Sequence, residues 1–169
     1  NISIHVVAES AMLRLAVIFL MLFIHNACAQ DGVLRMDQVV GTWRLIAASA
    51  SSGSTRNDAP YGPAPSGLIT YTSDGRVMAI ICHSGRKPLA SGDRISASTD
   101  ERAEAFATSF SYAGRYSLSG SKIIHRVELA SVQNWVDTDL VRLVRLDDNK
   151  ITLTTPPISV GGEVRTTEL

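Results

Sequence analysis

Two polar side chains stand among apolar neighbours in segments with the alternation of β-strands. His125 lies in the segment 122–130 and shares one strand face with Ile123, Val127 and Leu129, because side chains alternate along a strand. An imidazole in an apolar interior needs a hydrogen-bond partner. It can orient a ligand carbonyl or act as a general acid or base. The alternative interpretation is a core histidine that a neighbouring side chain or a water satisfies.

Arg142 has a similar setting, since Leu140 and Val144 share its strand face. If this face points inward, the guanidinium requires an anion, for which Glu128, Glu163 and a ligand carboxylate are the candidates. An exposed charge or a structural ion pair is the alternative. An inward histidine and arginine would suit a fatty-acid-like or enolate-like group, and they would equally suit the polar plug of a filled barrel.

Aromatic side chains are the remaining candidates for ligand contact. Tyr61 lies in a proline-rich loop, Trp135 lies in the turn after the His125 strand, and Tyr112 is a further aromatic candidate. The predicted ligand-binding set is His125, Arg142, Tyr61, Tyr71, Tyr116, Trp135 and Phe106. His125 and Arg142 are also the speculative catalytic pair, so the sequence leaves open whether the protein is an enzyme.

Motifs of several common site types are missing from the sequence. The nucleophile elbow of hydrolases, the phosphate loop, the dinucleotide fingerprint and the zinc-protease motif do not occur. We therefore predict neither a cofactor nor a metal site. The 16 Lys and Arg balance the 16 Asp and Glu, which argues against nucleic acid as a partner, because nucleic-acid-binding domains carry a clustered basic face.

The N-terminal segment has the pattern of a secretory signal peptide. Residues 12–14 include an arginine, residues 15–24 are ten apolar residues, and residues 27–29 read Ala-Cys-Ala. The apolar run is shorter than the about 20 residues that a transmembrane helix needs. We expect residues 1–29 to be upstream residues plus a signal peptide, and the protein to be exported to the periplasm or secreted. A lipid anchor at Cys28 and a short buried helix are the alternatives.

The rest of the chain is dominated by short strands, several of which are joined by hairpin turns such as Ser-Asp-Gly. The eight predicted strands are 40–47, 67–72, 76–82, 114–118, 122–130, 139–146, 151–155 and 163–169. Residues 48–66, which are rich in Ser, Gly and Pro, are predicted to form a long ordered loop.

One segment has a helical period. Ser98 and Glu101 have the spacing of a capping box, and Phe106 and Phe110 recur at a helical interval, so we predict an amphipathic helix over 99–112. Closure of the eight strands into a barrel would remove their edges. The predicted fold is all-β, an eight-stranded antiparallel up-and-down barrel with this helix between strands 3 and 4. A β-sandwich is the alternative.

Several motifs resemble those of a known family. Gly41 and Trp43 form a Gly-x-Trp tripeptide that resembles the signature of lipocalins and other calycins. The segments that resemble the bacterial and fungal lipocalin-like domain family are 60–63, 67–76, 134–135, 153–157 and 161–167. The resemblance implies a small barrel with a central cavity. Some relatives are thought to bind hydrophobic small molecules, and some barrel relatives act as cyclases or isomerases.

These observations lead to one main hypothesis and two alternatives. Residues 30–169 are expected to form the lipocalin-like barrel, cut short at the C-terminus, so that closure against the first strand is incomplete. The leading hypothesis is an exported barrel that binds a small hydrophobic molecule in its lumen. The first alternative is a cyclase or isomerase in which His125 is the acid or base and Arg142 polarises a carbonyl. The second is a filled structural barrel without a ligand.

Overall fold

The fold of residues 33–169 is given by a computed structural model, so the predicted signal peptide lies outside the described residues. Two α-helices and eleven strands make up this range. The helices are α1 (Met36–Val39) and α2 (Thr99–Ala107), and Gln133–Trp135 form a 3-10 turn. The strands are β1 (Gly41–Arg44), β2 (Ser49–Ser52), β3 (Thr55–Asn57), β4 (Ser66–Tyr71), β5 (Arg76–Cys82), β6 (Ser109–Ser119), β7 (Lys122–Ala130), β8 (Asp139–Asp147), β9 (Lys150–Thr154), β10 (Ile158–Val160) and β11 (Glu163–Glu168).

The strands form an antiparallel sheet in the order β1-β4-β5-β6-β7-β8-β9-β11-β2-β3, and β10 pairs with β11. From β4 to β9, strands that follow each other in sequence are neighbours in the sheet, which confirms the predicted antiparallel, all-β fold. β1 pairs with β4, whereas β2 pairs with β11. Because only residues 45–48 separate β1 from β2, one bent stretch of chain joins the two ends of the meander. Strand β11 thus pairs with β2 rather than with β1, and the expectation of incomplete closure against the first strand stays a prediction.

The predicted loop over 48–66 is wrong in part, since it contains β2 and β3. These two strands form a hairpin around Gly53, which has a φ of 56° and thus the left-handed conformation that glycine adopts without strain. The serine-rich sequence of β2 lacks the apolar alternation that marks a strand. Its pairing with β11 supplies the order that the local sequence does not indicate.

The predicted helix over 99–112 begins where expected but ends early. The backbone N–H of Glu101 donates to Ser98 Oγ at 3.2 Å, and the Ser98 N–H donates to Glu101 Oε2 at 3.0 Å, which is the predicted capping box. Helix α2 ends at Ala107, and the prediction over 108–112 is wrong because the segment from Ser109 onward pairs with β5 as part of β6. Pairing along a whole strand prevails over the helical spacing of two phenylalanines.

A filled core closes one part of the barrel. Its buried members are Leu34, Val39, Tyr71, Val77, Tyr116 and Ile123, and Trp43 packs against them. The indole N–H of Trp43 donates to the carbonyl oxygen of Val39 at 2.8 Å. Leu34 donates its backbone N–H to Gly120 at 3.1 Å. These bonds fix the segment around α1 against the barrel.

A β-bulge interrupts the pairing of β6 and β7 at Gly114, where Glu128 is the extra residue. A Cβ on Gly114 would lie 2.0 Å from the carbonyl oxygen of Arg126, so this close approach requires glycine. The bulge also reverses the alternation of side chains beyond it. Leu129 is therefore 70% exposed, and the prediction that it shares an inner face with His125 is wrong.

Among residues 33–169, no helix combines the length and the apolar character that crossing a bilayer requires. The apolar run at 15–24, which the sequence analysis judged too short for a span, lies outside the described residues.

Candidate functional site

A cavity of about 750 Å³ lies beside the filled core of the barrel. Most of its lining side chains are aliphatic or aromatic, and they come from the inner faces of the sheet, from the loop before β4 and from α2. Small-molecule sites have volumes of roughly 300–1,000 Å³ and mostly apolar walls with a few polar groups. The barrel thus has one part that side chains fill and one part with room for a small molecule.

The predicted ligand-binding residues divide between these two parts. Four of them, Tyr61, Phe106, Trp135 and Arg142, line the cavity. The other three, Tyr71, Tyr116 and His125, are buried in the core and are not part of the cavity lining. Among the signature residues, Trp43 lies between the two, because it packs on the core and also lines the cavity.

His125 is fully buried, and the protein satisfies both of its ring nitrogens. Nε2 lies 3.0 Å from the hydroxyl oxygen of Tyr71, and Nδ1 lies 2.9 Å from the hydroxyl oxygen of Tyr112. A neutral imidazole has one donor and one acceptor nitrogen, so one tyrosine donates to the ring and the other accepts from it. The geometry is that of the core histidine named above as the alternative interpretation.

The electrostatic setting keeps this imidazole neutral. Burial, together with the positive charge of Arg142, lowers the pKa of His125 to about 3. At neutral pH the ring therefore carries no net charge and has no proton to lose as an imidazolium. Because His125 also lies outside the cavity lining, it acts on the cavity only through its hydrogen bond to Tyr112.

Tyr112 places its hydroxyl, which is hydrogen-bonded to the buried His125, near the cavity wall. Its side chain is 7% exposed, it lines the cavity, and its hydroxyl is held by His125. Burial raises the pKa of Tyr112, while the nearby positive charge of Arg142 acts in the opposite direction. The phenol consequently stays protonated at neutral pH. Tyr112 was named as an aromatic candidate but was not included in the predicted ligand-binding set.

Arg142 projects from β8 into the cavity lining and is half-buried. One of its guanidinium N–H groups donates to the carbonyl oxygen of the preceding residue, Val141, at 2.8 Å. The two carboxylates that the sequence offered as partners, Glu128 and Glu163, pair with other arginines. Among the described residues, no carboxylate lies within ion-pair distance of Arg142. The cavity therefore contains a positive charge without a protein counter-charge.

An aromatic wall connects the loop before β4 with Tyr112. Tyr61 stacks at 5.1 Å from His83 and at 5.8 Å from Phe110, measured between ring centroids. Phe110 meets Trp135 edge to face at 5.6 Å, and Trp135 meets Tyr112 at 6.1 Å. Edge-to-face pairs at these distances are energetically favourable. Neither His83 nor Phe110 was predicted as a site residue. Both contact Tyr61, and the pairing of β5 with β6 is what brings them to it.

Groups that bind metal ions are dispersed in the described part of the chain. Within residues 33–169, no three side chains among His, Cys, Asp and Glu lie together in a way that would hold an ion. Cys82 and His83 adjoin in sequence, but His83 places its ring against Tyr61. The chemistry of the site therefore resides in its apolar walls, in Arg142 and in the Tyr112 hydroxyl.

A family model described as a lipocalin-like domain matches residues 40–169, which is most of the chain. No curated protein matches the chain. The matched range begins just before β1 and includes every strand of the barrel.

Proposed function

The chain belongs to the lipocalin-like domain family, and from this premise we propose that it binds a small, mostly apolar molecule in the cavity of its barrel. The observation that carries the proposal is the cavity of about 750 Å³ with largely aliphatic and aromatic walls. Transfer of apolar surface from water into such a site is favourable by roughly 25 cal/mol per Å² before the costs of association.

The division of the barrel also supports a ligand. Residues such as Val77 and Ile123 fill the core and are at most 1% exposed. The cavity beside them is far larger than the volume of a water molecule, which is about 30 Å³ in the liquid. A barrel with a purely structural role would be expected to fill this volume with side chains as well.

Exposed apolar side chains on the cavity lining also support the proposal that a ligand binds there. Phe106 on α2 is 56% exposed and Ile46 between β1 and β2 is 73% exposed, and both line the cavity. Val160 on β10 adds a further apolar side chain that is largely exposed. Apolar groups grouped around a concave site are typical of ligand-binding surfaces. A bound apolar molecule would cover part of this area.

The binding experiment uses the neutral fluorophore N-phenyl-1-naphthylamine with the full chain. Ala79 lines the cavity and faces Tyr112 across the sheet, whereas its neighbour Met78 points outward and is 58% exposed. Ala79→Trp should fill the cavity and weaken probe binding at least tenfold, and Met78→Trp is the matched control that should bind as wild type does. Ala79→Leu is the smaller replacement if the tryptophan variant fails to fold.

Three results would contradict the proposal. The first is a wild-type protein that does not bind the probe at micromolar concentrations. The second is an Ala79→Trp variant that folds, as judged by circular dichroism, and binds the probe as tightly as the wild type. Loss of binding in Met78→Trp alone would place the probe on the outer face of the sheet and would also reject the cavity as the site.

The cavity also favours a second candidate function, acid–base chemistry on a bound carbonyl compound. The specific observation is the protonated hydroxyl of Tyr112 on the cavity wall, held by His125 and close to the charge of Arg142. In this scheme the Tyr112 hydroxyl, accepting a bond from His125 Nδ1–H, would donate its own proton in a hydrogen bond to the substrate carbonyl oxygen. A water molecule in the cavity would take the α-proton, and the charge of Arg142 would stabilise the enolate that forms. This differs from the sequence hypothesis, in which His125 itself was the acid or base.

Exchange of the α-protons of 3-oxododecanoic acid in D₂O, followed by proton NMR, tests this second function. The wild type should accelerate the exchange above the rate in buffer, and Tyr112→Phe should return it to that rate while still binding the compound. Equal rates in buffer and with the wild type would reject catalysis and leave the binding function intact.

We also propose that the protein is exported, because residues 12–29 have the pattern of a signal peptide. Expression of the full chain in a bacterial host, followed by fractionation and mass spectrometry, tests this proposal. We expect a periplasmic or secreted product that begins at Gln30. A product that remains in the cytoplasm with residues 1–29 attached would contradict it.

A further inference from the structure

We infer that the ligand is a carboxylate with an apolar tail, and that Arg142 and Tyr112 together bind its head group. The inference rests on the proposed binding function and specifies the polar end of the same cavity. The geometry that carries it is a half-buried guanidinium and a buried phenol on the wall of one apolar cavity.

The contrast with Arg76 shows why the charge of Arg142 needs an explanation. Among the described arginines, these two are partly withdrawn from solvent, and the rest are exposed. Arg76 has its counter-charge within the protein, because its Nη1 donates to Glu128 Oε2 at 2.6 Å. Removal of a charge from water is costly unless a partner compensates it. For Arg142 the available volume for such a partner is the cavity.

The donors at this position match a carboxylate. A guanidinium has five N–H groups in a planar fork, and Arg142 uses one of them on Val141. A carboxylate can accept two parallel bonds from such a fork, and these charge-assisted bonds are about twice as strong as neutral ones. When His125 carries its proton on Nδ1 and donates it to Tyr112, the Tyr112 hydroxyl keeps its own proton to donate to a carboxylate oxygen.

The other charges on the cavity lining favour an anion as well. The lining contains Arg44, Arg56, Lys150 and Arg165 in addition to Arg142, and its acidic members are Asp58 and Glu168. Arg56 is paired with Asp58. A single half-buried guanidinium supplies one positive charge, which fits the single negative charge of a carboxylate better than the double charge of a phosphate monoester.

The test compares amphiphiles that share one tail. Dodecanoate, 1-dodecanol and dodecyl phosphate each displace N-phenyl-1-naphthylamine from the full chain at pH 7.5. Wild type should bind dodecanoate at least tenfold more tightly than dodecanol. Arg142→Gln should abolish this preference while dodecanol binding stays within about twofold. Arg145→Gln, at an exposed arginine three residues further along the same strand, should retain the preference.

A second measurement does not depend on a variant that folds. The carboxyl signal of [1-¹³C]dodecanoic acid bound to the wild type should show that the head group remains ionised to a lower pH than in a neutral site, because an adjacent guanidinium lowers the pKa of a carboxyl group. A bound carboxyl whose pKa is raised instead would place the head group away from Arg142 and overturn the inference.

The remaining outcomes separate this inference from the proposed function. Equal affinity of the wild type for dodecanoate and dodecanol overturns the head-group assignment, and probe binding that Ala79→Trp abolishes would still support the cavity. Preference for dodecyl phosphate over dodecanoate also overturns the assignment. If no amphiphile displaces the probe, the head-group assignment is rejected. If the probe itself does not bind, the proposed binding function is rejected as well.

Discussion

Replacement of His125 by glutamine should make the stability of the protein less sensitive to acid. The folded protein holds the pKa of His125 at about 3, whereas an unfolded chain has an ordinary histidine with a pKa near 6.5. Below pH 6.5 the unfolded state therefore binds a proton at this residue that the folded state does not bind. The contribution of the neutral ring to stability is complete above about pH 6.5, and it is lost as the pH falls towards 3.

The magnitude follows from the difference between the two pKa values. Between them, the free energy of unfolding falls by up to about 1.4 kcal/mol for each pH unit. From pH 7.5 to pH 5.0 the loss from this one residue amounts to about 2 kcal/mol. A glutamine amide can donate to one of the two tyrosines and accept from the other, but it does not titrate in this range. Its variant should therefore lack this loss.

Urea unfolding of the full chain, followed by tryptophan fluorescence at pH 7.5 and pH 5.0, measures the effect. The quantity of interest is the loss of unfolding free energy between the two pH values, and the wild type should lose about 2 kcal/mol more than His125→Gln. The carboxylates are common to both proteins and cancel in this comparison. His83→Gln is the matched control, because it removes the other histidine of residues 33–169, and it should behave as the wild type does.

The reasoning is refuted if the wild type and His125→Gln lose the same free energy between pH 7.5 and pH 5.0. Such a result would mean that water or a charged partner stabilises the protonated ring inside the barrel. A general loss of stability in His125→Gln at both pH values would not matter, because the test concerns the difference between the two.

Three further predictions concern the fold. Gly114→Ala should destabilise the protein by at least about 2 kcal/mol in urea unfolding, since its Cβ would overlap the carbonyl oxygen of Arg126; an effect below 0.5 kcal/mol would contradict the bulge geometry. Ile123→Ala removes a fully buried side chain and should cost roughly 2–5 kcal/mol, whereas Ile95→Ala, at a position that is 70% exposed, should stay within about 0.5 kcal/mol. Trp43→Phe loses the indole N–H bond to a backbone carbonyl and should cost about 1 kcal/mol or more by the same assay; unchanged stability would show that this bond is not formed in solution.

Local sequence signals predicted the meander well. The hairpins from β4 to β9 have turn residues at their tips and alternating side chains in their strands, so their position depended on short-range information. Strand β2 could not be predicted in this way, since its serine-rich sequence is ordered by β11, which lies far along the chain. The end of α2 was missed because Phe110 fits a helical period and a strand period equally well.

The candidate site was likewise only partly predictable from local sequence signals. Alternation along one strand suggested that His125 and Arg142 share the interior, and both do lie on inner faces of the barrel. It could not show that Tyr71 and Tyr112 enclose the histidine while the arginine faces an open volume, because these contacts join different strands. The role of Tyr112 depended on the placement of β6, which local periodicity had assigned to a helix in part.

The bent stretch from β1 to β2 has a consequence for how the chain folds. The pairing of β2 with β11 joins residues 49–51 to residues 166–168, which lie far apart in the described chain. Contacts between such distant residues are slow to form, because a large loop entropy must be overcome before they stabilise anything. Local hairpins are thus expected to form first and barrel closure last. The cavity comes into existence only at that final step, and a ligand that occupies it should slow the unfolding of the protein much more than it speeds its folding.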